Sequence, residues 1–79
     1  MKSKPIPEPH QKKLELLGLY LKNLRINENL TLVEVGEQTN LHHNTIQRAE
    51  SGANSTLLTY LELSDFYCVQ LSELVSILD

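Results

Sequence analysis

Apolar residues recur every three or four positions along most of the chain, which is the spacing of amphipathic helices. The first helix is predicted from Pro9, which suits a first helical turn, to about Asn27. Its core stripe consists of Leu14, Leu17, Leu21 and Leu24. A second apolar row (Leu16, Leu19 and Ile26) widens the apolar arc, so this helix must contact more than one neighbour. The second neighbour is either the C-terminal helix or another copy of the chain.

Two short helices joined by a tight turn are predicted between Thr31 and Gly52. Thr31 can cap the second helix, and Glu34 completes a capping box. The turn falls near Asn40, a residue type that tolerates the left-handed conformation. The third helix is predicted from about His43 to Glu50, with Gly52 as its C-cap.

Gly36 lies in the middle of the second helix, where glycine costs roughly 1 kcal/mol relative to alanine. A glycine at this position indicates that another backbone passes close to it, as where two helices joined by a short turn cross steeply. Ile46 is an apolar residue in an otherwise polar third helix, and we expect it to pack against that gap.

Two further helices complete the predicted domain. Ser55 or Thr56 caps the fourth, and Ser72 lies in the first turn of the fifth. The predicted inner face of the fourth helix is formed by Leu57, Tyr60, Leu61 and Ser64, and the stripe of the fifth by Leu71, Leu74, Val75 and Leu78. All prolines lie in the first ten residues, so we predict an all-α fold. It comprises an extended proline-rich arm over residues 1–10 and one domain over residues 11–79.

Charge is unevenly distributed along the 79 residues, whose net charge is −3. Residues 1–29 hold six Lys or Arg against three Glu, whereas residues 30–79 hold only Arg48 against seven acidic residues. Proteins that bind DNA gain much of their affinity from neutralised phosphates, and few cations serve that purpose here. The proline-rich arm is either a loosely held terminus or a segment that carries Lys2 and Lys4 to DNA or to another subunit.

Several classes of protein are disfavoured. A single cysteine, Cys68, excludes an intrachain disulfide and fits a reducing cytoplasm. No apolar run approaches the length of about 18 residues that a membrane span needs. His42 and His43 would point about 100° apart on a helix, and Cys68 lies in a different loop, so we expect no metal and no cofactor. No catalytic arrangement or glycine-rich phosphate loop is evident, so an enzyme is not expected.

The run LGLYLKNLRINENLTLVEVGEQTNLHHNTIQRAESG, followed by LLTYLELSDFYCVQLSELV, resembles the phage Cro/repressor-type (Xre) helix-turn-helix family. The resemblance covers about Leu17 to Leu78 and rests on the joint spacing of Arg25, Gly36, Ile46, Glu50 and Gly52. It implies a compact five-helix, lambda-repressor-like DNA-binding domain with the helix-turn-helix at helices 2 and 3. It also implies that those five residues are structural, with an ion pair between Arg25 and Glu50 locking helix 1 to helix 3.

The same resemblance implies which residues contact DNA. They are Thr31, His42, His43, Asn44, Gln47 and Arg48, with His42 or Thr45 near the phosphates. Asn and Gln can pair with adenine and Arg with guanine in the major groove, although a solvated helix face would carry the same residues. Cys68 stands where this family usually has glycine, and we expect a small packing residue there rather than a reactive thiol.

These observations predict a cytoplasmic, sequence-specific transcriptional regulator that binds double-stranded DNA as a homodimer. The dimer contact is expected on the fifth helix, at Leu74, Val75, Ile77 and Leu78. An alternative is a helix-turn-helix scaffold used for protein–protein interaction, for example antitoxin-like binding of a protein partner. It is favoured by Leu32, which replaces a phosphate-contacting glutamine common in the family, and by Val33 and Leu58 at usually polar positions.

Overall fold

Five helices make up most of the chain in the computed structural model, which describes residues 5–79. They are α1 (Glu8–Asn27), α2 (Leu32–Gln38), α3 (His43–Glu50), α4 (Leu57–Phe66) and α5 (Leu71–Ser76). No strand occurs within residues 5–79, and the predicted all-α fold with five helices is confirmed.

α1 begins at Glu8, so its first residues lie within the range predicted to be an extended arm. Pro9 occupies one of the first two helical positions, where the missing N–H of proline loses no hydrogen bond. Residues 5–7 are not helical. The rest of the predicted arm, residues 1–4 with Lys2 and Lys4, lies outside the described residues.

A small apolar core surrounds α3. Its buried members are Leu17, Leu21, Val35, Ile46, Ala49, Leu63 and Leu74. α3 contacts α1, α2 and α4, and α4 packs in turn against α5. Burying a side chain the size of leucine or isoleucine contributes about 1.5–3 kcal/mol to folding. The central position of α3 means that three other helices determine which of its faces is exposed.

Gly18 allows α1 and α3 to approach until their backbones are in contact. A Cβ atom at Gly18 would lie 2.5 Å from the carbonyl oxygens of both Ala49 and Glu50, which leaves no room for a side chain. At Gly36 a Cβ atom would lie 3.2 Å from the carbonyl oxygen of Leu41. The close backbone predicted at Gly36 is therefore present, but the tighter constraint is at Gly18.

A threonine side chain closes the turn between α2 and α3. Thr39 has extended backbone, and its Oγ1 donates to the carbonyl oxygen four residues earlier at 2.8 Å and accepts from the N–H of Leu41 at 3.2 Å. Asn40 does not have a positive φ, so the predicted left-handed conformation at this position was wrong. The turn supplies the backbone beside Gly36, while Ile46 is fully buried in the core.

Left-handed residues end three of the helices. They are Asn29 (φ 57°) after α1, Gly52 (φ 88°) after α3 and Cys68 (φ 58°) after α4. The N–H group that follows each one donates to a carbonyl oxygen five residues back, in the pairs Leu30–Arg25 (3.2 Å), Ala53–Arg48 (3.0 Å) and Val69–Ser64 (3.0 Å). Cys68 is exposed, so its expected role as a packing residue was wrong. What the position requires is the left-handed backbone.

α4 buries a face that agrees only in part with the predicted one. Ser64 is buried and Tyr60 packs against the core as predicted, whereas Leu57 and Leu61 are exposed and Thr59 and Leu63 are buried instead. Apolar residues surround this helix on all sides, so their spacing alone does not select the face that packs inward.

The second apolar row of α1 is also open. Leu16, Leu19 and Ile26 are each about half exposed, so they do not pack against the C-terminal helix. This row is therefore an exposed apolar stripe on α1.

We predict that Cys68→Gly raises Tm by about 4–8 °C, because a non-glycine residue in the left-handed region carries strain of about 1 kcal/mol. Cys68→Ala keeps a Cβ atom and serves as the matched control, with little expected change in Tm. Thermal unfolding followed by circular dichroism under reducing conditions measures both variants. Equal Tm values for the glycine and alanine variants would contradict the backbone explanation.

We also predict that Gly18→Ala lowers the free energy of unfolding by about 2 kcal/mol, since the new methyl group forces two helix backbones apart. Gly36→Ala is the matched control, because its nearest backbone atom is farther away and alanine improves helix propensity by roughly 1 kcal/mol. Urea denaturation of the two variants compares them directly. A Gly18→Ala variant as stable as the natural chain would show that a methyl group fits between α1 and α3 without cost.

Candidate nucleic-acid interface

The two faces of α3 differ sharply in polarity. Ile46 and Ala49 point into the core, whereas Asn44, Gln47 and Arg48 are exposed. Gln47 and Arg48 follow Asn44 by three and four residues, so all three side chains lie on one side of the helix. This side offers two amides and one guanidinium to solvent.

His42 caps the N-terminus of α3. Its Nδ1 accepts a hydrogen bond from the N–H of Asn44 at 3.1 Å, so the neutral ring carries its hydrogen on Nε2. The ring stacks on His43, with centroids 4.3 Å apart and an interplanar angle of 28°. The expectation that the two histidines diverge as helical neighbours was wrong, because His42 precedes the first helical residue. No group of three or more metal-ligand side chains occurs among residues 5–79.

Thr31 lies at the start of α2 and forms the predicted capping box. Its Oγ1 accepts from the N–H of Glu34 at 3.1 Å, and its own N–H donates to the Glu34 carboxylate at 2.9 Å. The hydroxyl hydrogen of Thr31 is not used by the cap, and the residue is exposed. Thr45, in the first turn of α3, is half-buried.

Arg25 and Glu50 form a two-point ion pair between α1 and α3. The Arg25 Nε donates to Glu50 Oε2 at 2.8 Å and its Nη2 donates to Oε1 at 3.0 Å. The remaining Nη1 donates to the carbonyl oxygen of Leu30 at 2.9 Å. The side chains are only 13% and 6% exposed, so the pair is well shielded from water. Each nitrogen of the Arg25 guanidinium thus donates one hydrogen bond inside the protein.

A second polar contact joins α1 to the end of α3. Gln11 Nε2 donates to the carbonyl oxygen of Gly52 at 3.1 Å. Neither Gln11 nor Gly18 was recognised from the sequence. Gly18 could have been found by the mid-helix glycine argument applied to Gly36, whereas Gln11 carries no comparable sequence signal.

A capped helix, a short turn and a second helix with a buried inner face and a polar outer face follow one another from Thr31 to Gly52. A family model for the helix-turn-helix domain matches residues 16–75. The chain belongs to the helix-turn-helix domain family. Such domains are of a DNA-binding, non-enzymatic kind. No curated protein and no solved structure matches the chain.

None of the helices described for residues 5–79 has the length and apolar character needed to cross a membrane.

Positive charge is scarce around the helix-turn-helix. The cations among residues 5–79 are Lys12, Lys13, Lys22, Arg25 and Arg48. Glu50 neutralises Arg25, and Lys12 lies 3.7 Å from Glu8. Within α2 to α5, Arg48 is the one Lys or Arg side chain.

Apolar side chains border α3 on both sides of its polar face. Val33 is 52% exposed and Leu58 is 61% exposed. Leu58 lines a groove of about 340 Å³ together with Leu41, Thr45 and Arg48. The helix-turn-helix therefore presents a surface in which one cation is flanked by apolar residues.

The residues expected at a dimer contact fall into two groups. Leu74 is only 1% exposed and belongs to the core of the monomer, so its assignment to an interface was wrong. Val75 is 48% exposed, and Ile77 and Leu78 are half-buried. Val75 and Leu78 line an apolar groove of about 230 Å³ that also includes Leu57 and opens between α1, α4 and α5.

Tyr67 lies beside the ion pair that holds α3. Its hydroxyl is buried and has no hydrogen-bond partner among the described residues. Burial raises the pKa of Tyr67 to about 12, and the negative charge of Glu50 adds to the rise while Arg25 opposes it. The ring meets Phe66 edge to face, with centroids 5.1 Å apart. Tyr67 therefore acts as a neutral apolar wedge at physiological pH.

We predict that Tyr67→Phe leaves the helix-turn-helix domain equally or slightly more stable at neutral pH, because it removes a buried hydroxyl without a partner. In alkaline solution the two proteins should diverge. An unfolded tyrosine ionises near its ordinary pKa of 10.0, while folded Tyr67 keeps its proton until about pH 12. The natural chain therefore loses stability as pH rises through this window.

The variant should avoid this loss, which is roughly 1 kcal/mol for a half-buried group. Urea denaturation at neutral pH and at about pH 11 measures the difference. Equal losses in the two proteins would mean that Tyr67 is not shielded from water.

Proposed function

We propose that this helix-turn-helix domain is a sequence-specific transcriptional regulator of the Xre type that reads the major groove of double-stranded DNA with α3. The observation that carries the proposal is the exposed row of Asn44, Gln47 and Arg48 on a helix fixed from behind by α1. Amide side chains can pair with adenine N6 and N7, and a guanidinium can pair with guanine O6 and N7. Base readout needs such side chains on a rigid element.

We infer that residues at the two helix starts hold the DNA backbone. The His42 Nε2–H and the Thr31 hydroxyl are free donors on either side of the turn. Phosphates accept hydrogen bonds from such groups, and the N-terminus of a helix favours nearby negative charge. His43 stacks on His42 and would lie at the edge of the readout surface.

We infer further that the domain acts as a homodimer. One domain with a single cation on its reading helix would bind a half-site weakly, and two domains linked by symmetry multiply both affinity and specificity. A dimer can place two copies of α3 in successive major grooves about 34 Å apart. The proposed contact uses Val75 of α5, Ile77 and Leu78 directly after it, and the nearby Leu57, all of which retain exposed apolar surface. The proposed location is the cytoplasm, which would keep Cys68 reduced.

A second candidate function is the binding of a protein partner through the same scaffold. The exposed Val33 and Leu58 beside α3, and the excess of acidic residues after residue 29, favour this alternative. Selection of bound sequences from a random DNA pool tests the first proposal. Enrichment of one inverted repeat would support it. No retention on random DNA or heparin at about 50 mM salt would favour the protein partner instead.

We predict that Arg48→Ala weakens binding to the selected site by about 1–3 kcal/mol and relaxes the preference at one base pair. Arg48→Lys is the matched control, because it keeps the charge but loses the planar fork that recognises guanine. The lysine variant should therefore retain the salt dependence while losing the base preference. Fluorescence anisotropy with the selected site and its single-base variants measures both effects. Unchanged affinity and preference in Arg48→Ala would remove Arg48 from the readout surface.

A further inference from the structure

The outward face of α1 has the residue spacing of a helix that packs lengthwise on another helix. Leu16, Leu19, Asn23 and Ile26 follow one another at intervals of three, four and three residues. The three apolar members are 55%, 53% and 50% exposed, and Asn23 is exposed as well. No element within residues 5–79 covers the three apolar members, although Glu15 at the edge of the stripe lies against Gly52 after α3.

Two opposite charges flank the stripe along the same edge. Glu15 and Lys22 are seven residues apart, which is close to two helical turns and places them in one line. Both are exposed, and neither forms an ion pair with a described residue. Glu15 accepts one hydrogen bond, from Gln11 at 3.0 Å, and that contact is also solvent-exposed. The edge therefore carries an unpaired negative charge near one end and an unpaired positive charge near the other.

We propose that this face is a self-association surface, on which α1 of one copy packs antiparallel to α1 of a second copy. In the register centred between residues 17 and 18, Leu16 of each copy meets Leu19 of the other. The same register places Glu15 of each copy beside Lys22 of the other, so two ion pairs form across the two-fold axis.

The charges select this register over its competitors. A parallel pair of helices would bring Glu15 opposite Tyr20 and Lys22 opposite Asn27, without any contact of opposite charges. An antiparallel register displaced by one heptad would place Lys22 of one copy beside Lys22 of the other. It would also pair Leu16 with Ile26. Only the proposed register combines contact between leucines with complementary charge.

This surface is distinct from the α5 contact of the proposed homodimer and does not depend on DNA binding. A helix pair of this length buries less area than a stable dimer needs, so the association is weak on its own. It gains strength when copies are already held close together, as neighbouring dimers on adjacent DNA sites would be. The surface would thus join dimers into larger assemblies.

The experiment uses two full-length variants, Glu15→Lys and Lys22→Glu, studied separately and as an equimolar mixture. Each variant alone brings like charges together at both contacts, whereas the mixture restores two opposite-charge contacts between unlike chains. Sedimentation equilibrium at low salt gives the association constants. We expect each single variant to associate roughly fivefold more weakly than the natural chain, and the mixture to recover to within about twofold.

Leu19→Glu and Val75→Glu separate the two surfaces, and the circular dichroism of each variant checks that it folds. Leu19→Glu should abolish the recovery in the mixture. Val75→Glu, placed in both charge variants, should leave the recovery intact while removing any contact across α5.

A mixture no more associated than the average of its two components would overturn the antiparallel pairing, as would a natural chain that stays monomeric at all concentrations. An unchanged oligomer in Val75→Glu alone would count against the α5 dimer and not against the α1 surface.

Discussion

The close crossing of α1 and α3 is the constraint on which the other features depend. At one point Gly18 allows the α1 backbone to touch the carbonyl groups at the end of α3. Farther along α1, the fork between Arg25 and Glu50 and its bond to Leu30 tie both helices to the start of α2. Both contacts hold the C-terminal end of α3 against α1. Ile46 of the same helix lies in the core, and the polar side of the helix lies outside.

The same crossing explains the unusual charge distribution of the surface. Arg25 would be a natural phosphate ligand by type, but its guanidinium is consumed by internal contacts. Arg48 is then the one cation on the described part of the helix-turn-helix itself. In the proposed DNA complex such a surface would derive little affinity from phosphates, so the proposal relies on amide readout and a second copy. This is why self-association has a large part in the proposed function.

Local features of the fold could be predicted from the sequence, and features set by distant contacts could not. The capping box at Thr31 and the left-handed Gly52 depend on residues within one turn, and both were predicted correctly. The inner face of α4 was predicted only in part, because apolar residues surround that helix and only tertiary packing selects among them. Leu74 was assigned to an interface for the same reason, since a stripe of leucines does not reveal which member lies in the core.

The candidate site shows the same division. The residues of the exposed row on α3 came from the family resemblance, and their exposure agrees with Ile46 marking the inner side of the helix. The stacking of His42 on His43 did not follow, because it depends on His42 standing outside the helix as a cap. The turn was expected to use a left-handed Asn40, but hydrogen bonds of the Thr39 hydroxyl close it instead. Both residue types are common in turns, so residue preferences do not show which of the two closes this one.

A double-mutant cycle across the ion pair measures whether Arg25 and Glu50 hold α1 and α3 together. Arg25→Met, Glu50→Gln and the double variant would be compared with the natural chain by urea denaturation. If the fork fixes α3 against α1, each single variant loses about 3 kcal/mol, and the double variant loses much less than the sum. A coupling energy below about 0.5 kcal/mol would contradict this, because the two side chains would then act independently and could not hold α3 against α1.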